Sequence, residues 1–228
     1  MLPVAPAVVA VHAVRGRRRG LRGDPQFFLW NLGSECFVVN SFAAIDGAYV
    51  ERALPDLMAK RVFAVGPLSD AVSISRDRRG GKPAVPAARV AAWLDAFPDG
   101  SAVYVSFGTQ HALSPPQAAC VADALARSSA AFVWSVEILR HRAVGWFLTH
   151  CGWNSALEAT AGGVTLLTWP MGTEQFTNAW LVTEVGVAVP VAEGAEVVPD
   201  AGQMAGAIAA ATGEEGKREA REGARGGA

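Results

Sequence analysis

Three cysteines in 228 residues, Cys36, Cys120 and Cys151, are too few and too widely spaced for a disulfide framework, and none stands in CxxC spacing. That excludes a structural zinc ribbon and a small cross-linked secreted fold, and it suits a reducing compartment. No apolar run reaches the ~18 residues of a membrane span. The opening MLPVAPAVVAV is apolar but short, and its arginines follow the run, the reverse of a secretory leader. A soluble, cytoplasmic chain is expected. Charge of one sign is also lacking: the net value of −1 gives no whole-chain field toward nucleic acid or an anionic membrane, so neither is expected as a partner. The local run Arg15, Arg17, Arg18, Arg19, Arg22 reads first as a solvated arm and second as a phosphate or targeting element. No GxGxxG follows a strand-like segment, which removes the dinucleotide fingerprint.

What is present is apolar. Hydrophobic residues make up 51% of the chain and charged ones 18%, a globular composition with enough core for one large or two small domains. Early on, CFVVNSF and RVFAVGPL read as strands rich in Val and Phe, with a mixed helical or loop segment, AIDGAYVERALPDLM, between them. SDAVSISRDRRGGKPAVPAAR, with its paired glycines and two prolines, is the best linker in the chain. The expected division is 1–68, a linker over 69–88, and a second domain over 89–228.

Beyond the linker the texture alternates. SAVYVSFG, AAFVWSV, AVGWFLTH, VTLLTWP and VAVPV read as strands, and QAACVADALARS, SALEATA and EQFTNAWLVTEV as helices. Ser114-Pro115-Pro116-Gln117 is a helix start, with Ser as cap, Pro at the first position and Gln completing a capping box. Strands without polar alternation, separated by single helices, indicate an α/β fold with a parallel sheet covered on both faces. The charged, Gly-rich tail after Gly213 is expected to fray.

In such sheets ligands bind beyond the carboxyl ends of the strands, and two ends stand out. Ser106-Phe107-Gly108-Thr109 offers a glycine for close backbone approach between two hydroxyls. FLTHCGWNSALEATAGG ends a strand at Thr149 and starts a helix near Asn154 or Ser155. A phosphate there would meet the first helical N–H groups, Asn154, Ser155 and His150. Residue chemistry alone leaves a competing reading open: Ser155 and Glu158 fit a capping box, and His150 a satisfied core histidine.

The longer run HRAVGWFLTHCGWNSALEATAGGVTLLTWPMGTEQFTNAWL closely resembles the nucleotide-sugar signature of plant family 1 UDP-sugar glycosyltransferases. FLWNLGSECFVVNSFAAIDGAYVERAL and RVFAVGPLS are similar to the end of that family's acceptor domain, and WLDAFPDGSAVYVSFGTQHALSPPQ to the start of its donor domain. The resemblance implies a Rossmann-like donor domain of the GT-B fold after a remnant of the N-terminal acceptor domain. It implies sugar transfer from a UDP-sugar to a hydroxyl of a small acceptor such as a flavonoid, in a monomer without metal or cofactor. His150, Asn154, Ser155, the Trp153 backbone and Thr109 would contact the diphosphate, Glu158 the ribose hydroxyls, and Glu174 and Gln175 the sugar.

The same comparison marks departures. The family's Trp-Ala-Pro-Gln, which holds the nucleoside, has Phe132, Val133, Trp134 and Ser135 in its place, so one strand and one helix are expected to be missing between Val136 and Glu137. Trp134 reads first as a core residue and second as one stacking on a base. No residue is assigned as the catalytic base, because nothing matches the surroundings of the family's N-terminal histidine and its aspartate. His12 does not fit, and His111 and His141 read as surface residues. Thr165 replaces a proline at a strand start, and the chain is expected to end without the family's closing helices. The alternative to an enzyme is accordingly a non-catalytic, truncated chain that keeps part of a UDP-sugar site.

Overall fold

A computed structural model describes residues 35–50, 60–66, 85–108, 112–134, 138–216 and 218. The arginine run, His12, Thr109, His111, most of the linker and the last ten residues lie outside them. The chain divides into two compact units, Met1–Ala71 and Val72–Ala228.

In the first unit β1 (Cys36–Val39) pairs in parallel with β2 (Arg61–Ala64), Cys36 opposite Arg61 and Val39 opposite Ala64. α1 (Ala43–Val50) lies between them in sequence, where a mixed segment was expected. Phe37, Val39 and Ile45 are buried. Ser41 Oγ donates to Asp46 Oδ2 at 2.5 Å, while the buried Oδ1 has no partner among the described residues. Burial pushes the Asp46 carboxyl above its ordinary range, against the smaller opposing effect of the Ser41 bond.

The second unit follows the expected alternation. Its strands are β3 (Ala102–Ser106), β4 (Ala131–Trp134), β5 (Val144–Thr149), β6 (Thr165–Thr168) and β7 (Ala188–Pro190). They form one parallel sheet in the order β4-β3-β5-β6-β7. A doubly wound sheet in its usual form runs 3-2-1-4-5-6. Numbered from β3, this one runs 2-1-3-4-5, the other common doubly wound order, with its reversal between β3 and β5. Among the described residues β4 pairs with β3 alone, and residues 135–137, where the loss of a strand is expected, lie outside them.

Both faces of the sheet are covered, which is why its strands are apolar without alternation. Val103, Val105, Trp146, Leu148 and Leu167 point to one face and meet α3 (Pro115–Ser128) and α6 (Ala201–Thr212). Tyr104, Phe147 and Leu166 point to the other, toward α2 (Ala87–Leu94), α4 (Trp153–Ala161) and α5 (Gln175–Glu184). Trp134 packs against the first cluster, as expected of a core residue.

Local signals set several boundaries. Ser114 Oγ accepts from Gln117 N and Gln117 Oε1 accepts from Ser114 N, the reciprocal capping box the sequence announces. The Gln117 amide also donates to Ala195 O at 2.7 Å and Val197 O at 2.8 Å, tying α3 to the loop before α6. Two helices correct the sequence reading. α2 starts directly after Pro86, within the last two residues of the expected linker, and buries Leu94. α6 is a helix that the sequence reading did not assign: Asp200 Oδ1 accepts from Gln203 N at 2.7 Å, and Met204, Ala205, Ile208 and Ala211 are buried.

Candidate functional site

The carboxyl ends of β3, β5 and β6 finish level, with Ser106 opposite Thr149 and Thr149 opposite Thr168. β3 and β5 are the point where the strand order reverses, the place where doubly wound sheets bind ligands. His150 follows Thr149 directly and is 8% exposed.

The two nearby glycines make room for that histidine. A Cβ on Gly108 would stand 2.8 Å from His150 Nε2, and one on Gly152 also 2.8 Å from it. The close approach expected at Gly108 is real, but what approaches is the imidazole ring. Gly108 also needs its φ of +70°, which a side chain would strain. Thr149 Oγ1 lies 3.4 Å from His150 Nδ1 and accepts from Cys151 N at 3.4 Å. Below the loop, Phe107 meets Trp169 edge-on at 5.5 Å, so the β3 and β6 ends share one aromatic footing.

Between His150 and the helix the chain turns through Cys151, which has a φ of +62° and is fully buried. For a residue with a Cβ, the left-handed region costs roughly 1–2 kcal/mol. Burial pushes the thiol up to about 12, only partly offset by a backbone hydrogen bond from Trp169, so Cys151 stays a neutral packing group rather than a nucleophile.

α4 begins at Trp153 with Gly152 as its N-cap and no side-chain cap. This corrects the capping-box reading of Ser155 and Glu158: the helix starts earlier, so Ser155 lies in its first turn and Glu158 near its middle. The first-turn N–H groups have no carbonyl four residues back, and the positive end of the helix dipole lies there. Asn154 is exposed, and Trp153, Ser155 and Glu158 are half-buried. Asn154 and Ser155 share a face with Glu158, four and three residues on. His150, Trp153, Asn154 and Ser155 thus gather at one helix start.

Glu174 and Gln175 open α5 beyond the neighbouring strand β6. Glu174 is half-buried and hydrogen-bonded to Thr173 Oγ1. Gln175 is buried, and its Oε1 accepts from Met171 N at 2.9 Å and Gly172 N at 3.1 Å. Its carbonyl end therefore shapes the loop. The sequence reading missed Asn178, 4% exposed, whose Nδ2 donates to Cys151 O at 3.0 Å. Only its spacing, one turn after Glu174, could have drawn attention to it.

His141 is placed at the other end of the sheet. Its Nε2 is 3.3 Å from Asp95 Oδ1, its Nδ1 accepts from Ala143 N, and its side chain is 13% exposed. The expectation of a surface histidine is corrected, because the clamp joining α2 to the start of β5 encloses it. Among the described residues no group of three or more His, Cys, Asp or Glu could hold a metal.

A doubly wound sheet thus carries a glycine-flanked histidine and a helix start without a side-chain cap at its reversal point. The profile of the family described as UDP-glucoronosyl and UDP-glucosyl transferase matches residues 135–201. Flavonol 3-O-glucosyltransferase UGT89B1 of Arabidopsis thaliana is 38% identical over 230 residues, covering 82% of this chain and 48% of that protein. UDP-glycosyltransferase 89A2 of the same plant is 36% identical over 95% of this chain and 53% of its own length. The crystal structure of Arabidopsis thaliana UGT89C1 complexed with UDP-L-rhamnose superposes with a TM-score of 0.73 at 34% identity, over 90% of this chain and 57% of that one. The chain belongs to this family, among its plant members, and spans about half the length of the curated relatives it matches. In the first match, 82% of 228 residues is about 187, so roughly 40 of the 230 aligned positions have no counterpart here.

Proposed function

We propose that this chain holds the diphosphate of a UDP-sugar at the start of α4. The protein it represents would transfer that sugar to a hydroxyl of a small acceptor of the flavonoid kind. The observation that carries the reading is the helix start without a side-chain cap, set beside a histidine that two glycines accommodate. Donors and helix dipole together offset diphosphate charge, and a metal is no part of the proposal.

In this reading His150, Asn154, Ser155 and the Trp153 backbone donate to the diphosphate, with Thr109 beside them. Glu158 accepts from the ribose hydroxyls, since a carboxylate suits paired O–H donors. Glu174 and Gln175 hold the sugar hydroxyls. No base is assigned to the chain. In the related structures, UGT89C1 is complexed with UDP-L-rhamnose in one crystal and with quercetin in another, and Medicago truncatula UGT71G1 with UDP-glucose. Those ligands support a UDP-sugar and a hydroxylated aromatic acceptor as classes. A cytosolic setting belongs to the same proposal, supported by three free cysteines.

The test is a calorimetric titration with UDP-glucose, folding being checked by circular dichroism. Wild type is expected to bind, and His150→Ala to bind about ten-fold or more weakly, as fits loss of a hydrogen bond to a charged group. A folded wild type that binds no UDP-sugar contradicts the proposal.

A further inference from the structure

α5 buries two amide side chains against the loops of the site. Gln175 holds the loop after β6, and Asn178 reaches the other way, to the carbonyl of Cys151. That carbonyl belongs to the left-handed residue between His150 and α4. An unassisted Cys151 would leave this conformation readily, because its Cβ disfavours it.

The peptide unit joining Cys151 to Gly152 is planar and trans, so its C=O and N–H point in opposite directions. Drawing the carbonyl toward Asn178 therefore turns the Gly152 N–H away from α5. That N–H has no acceptor among the described residues. Gly152 is also the residue whose missing Cβ accommodates the His150 ring. One side-chain hydrogen bond thus sets three things: the turn at Cys151, the direction of the Gly152 N–H, and the seat of the imidazole.

We infer that Asn178 is a positioning residue, which locks the Cys151 turn and so holds His150 and the start of α4 in the geometry that receives a diphosphate. The inference rests on the reading of this site as a diphosphate site. It adds a residue that contacts no ligand and acts through the backbone.

The decisive variant is Asn178→Asp, which keeps the volume but sets a carboxylate oxygen against the Cys151 carbonyl. Gln117→Ala is the control, because Gln117 is also a buried amide tying loops together, at a different place. Three readouts are taken on each: the thermal midpoint, the dissociation constant for UDP, and the His150 ring resonances, identified by their loss in His150→Ala. Both variants are expected to lower the midpoint. Only Asn178→Asp is expected to shift the His150 resonances and to weaken UDP binding, by about ten-fold, the equivalent of one lost hydrogen bond. Unmoved resonances with wild-type UDP affinity in a folded Asn178→Asp protein overturn the inference. If wild type itself binds no UDP, the functional reading fails, and the His150 resonances alone decide the role of Asn178. Should Asn178→Asp not fold, Asn178→Ser is read in the same way, with the same two outcomes.

Discussion

β4 and β6 are both four-residue strands of the same parallel sheet, and their surroundings differ sharply. β6 lies between β5 and β7 and is buried at every position. Among the described residues β4 is paired with β3 alone, only its Val133 is buried, and Phe132 is 38% exposed. Yet Ala131-Phe132-Val133-Trp134 has the composition of an interior strand, with no charge or proline to protect an edge. In the doubly wound order 3-2-1-4-5-6 its position would be interior, and in the order 2-1-3-4-5 it is an edge. Among the described residues β4 has one neighbouring strand, whereas β5 and β6, which present the site, have two each.

Substitutions at the two places should separate them most strongly. Trp169, fully buried just after β6, donates through Nε1 to Gly194 O and meets Phe107 edge-on. Trp169→Ala is expected to cost about 3–5 kcal/mol, read as a fall in the urea midpoint. Phe132→Ala should cost less than about 1 kcal/mol. Equal costs would break the contrast.

Within the β5–β6 region, Gly152→Ala sharpens the case that glycine serves the histidine. Its Cβ would meet His150 Nε2 at 2.8 Å and Cε1 at 3.1 Å, with a backbone φ of −58° that alanine tolerates. UDP affinity is expected to fall about ten-fold, alongside an overpacking cost of roughly 1–3 kcal/mol. Retained affinity would show that the ring moves aside without consequence.

Hydrogen exchange followed by mass spectrometry addresses the edge directly. Amides of β4 should exchange faster than those of β5 by roughly an order of magnitude or more. Equal protection would mean that something covers the β4 edge.

The smallest effect concerns the first unit. Its raised Asp46 favours the protonated form in the fold, so this contribution to stability is full below the ordinary value of 3.8 and fades as pH rises through the higher folded value. Asp46→Asn should flatten that part of the pH profile, measured by thermal melting between acid and neutral pH. An unchanged slope would remove Asp46 as its source.

How much of this was readable beforehand depended on whether the deciding contacts were local. The Ser114–Gln117 box is local and was legible. So were the five strands. α6 was not, because Ala201–Thr212 relies on alanine and glycine with only Met204 and Ile208 as large apolar residues, so its buried stripe has little contrast. α2 was hidden by the prolines before it. At the site, the cluster from His150 to Ser155 was visible as a motif. Its start at Trp153 was not, since Ser155-Ala156-Leu157-Glu158 imitates a cap one turn further on. The inward roles of Gln175 and Asn178 depend on loops brought from β5 and β6, which no window of sequence contains.

The central claim is that the start of α4 receives a diphosphate, and ³¹P resonances of UDP report on it most directly. On adding the folded chain at low ionic strength, both phosphorus signals should shift and broaden, and His150→Ala should largely restore them. Signals that stay at their free positions with the wild-type chain would contradict the account.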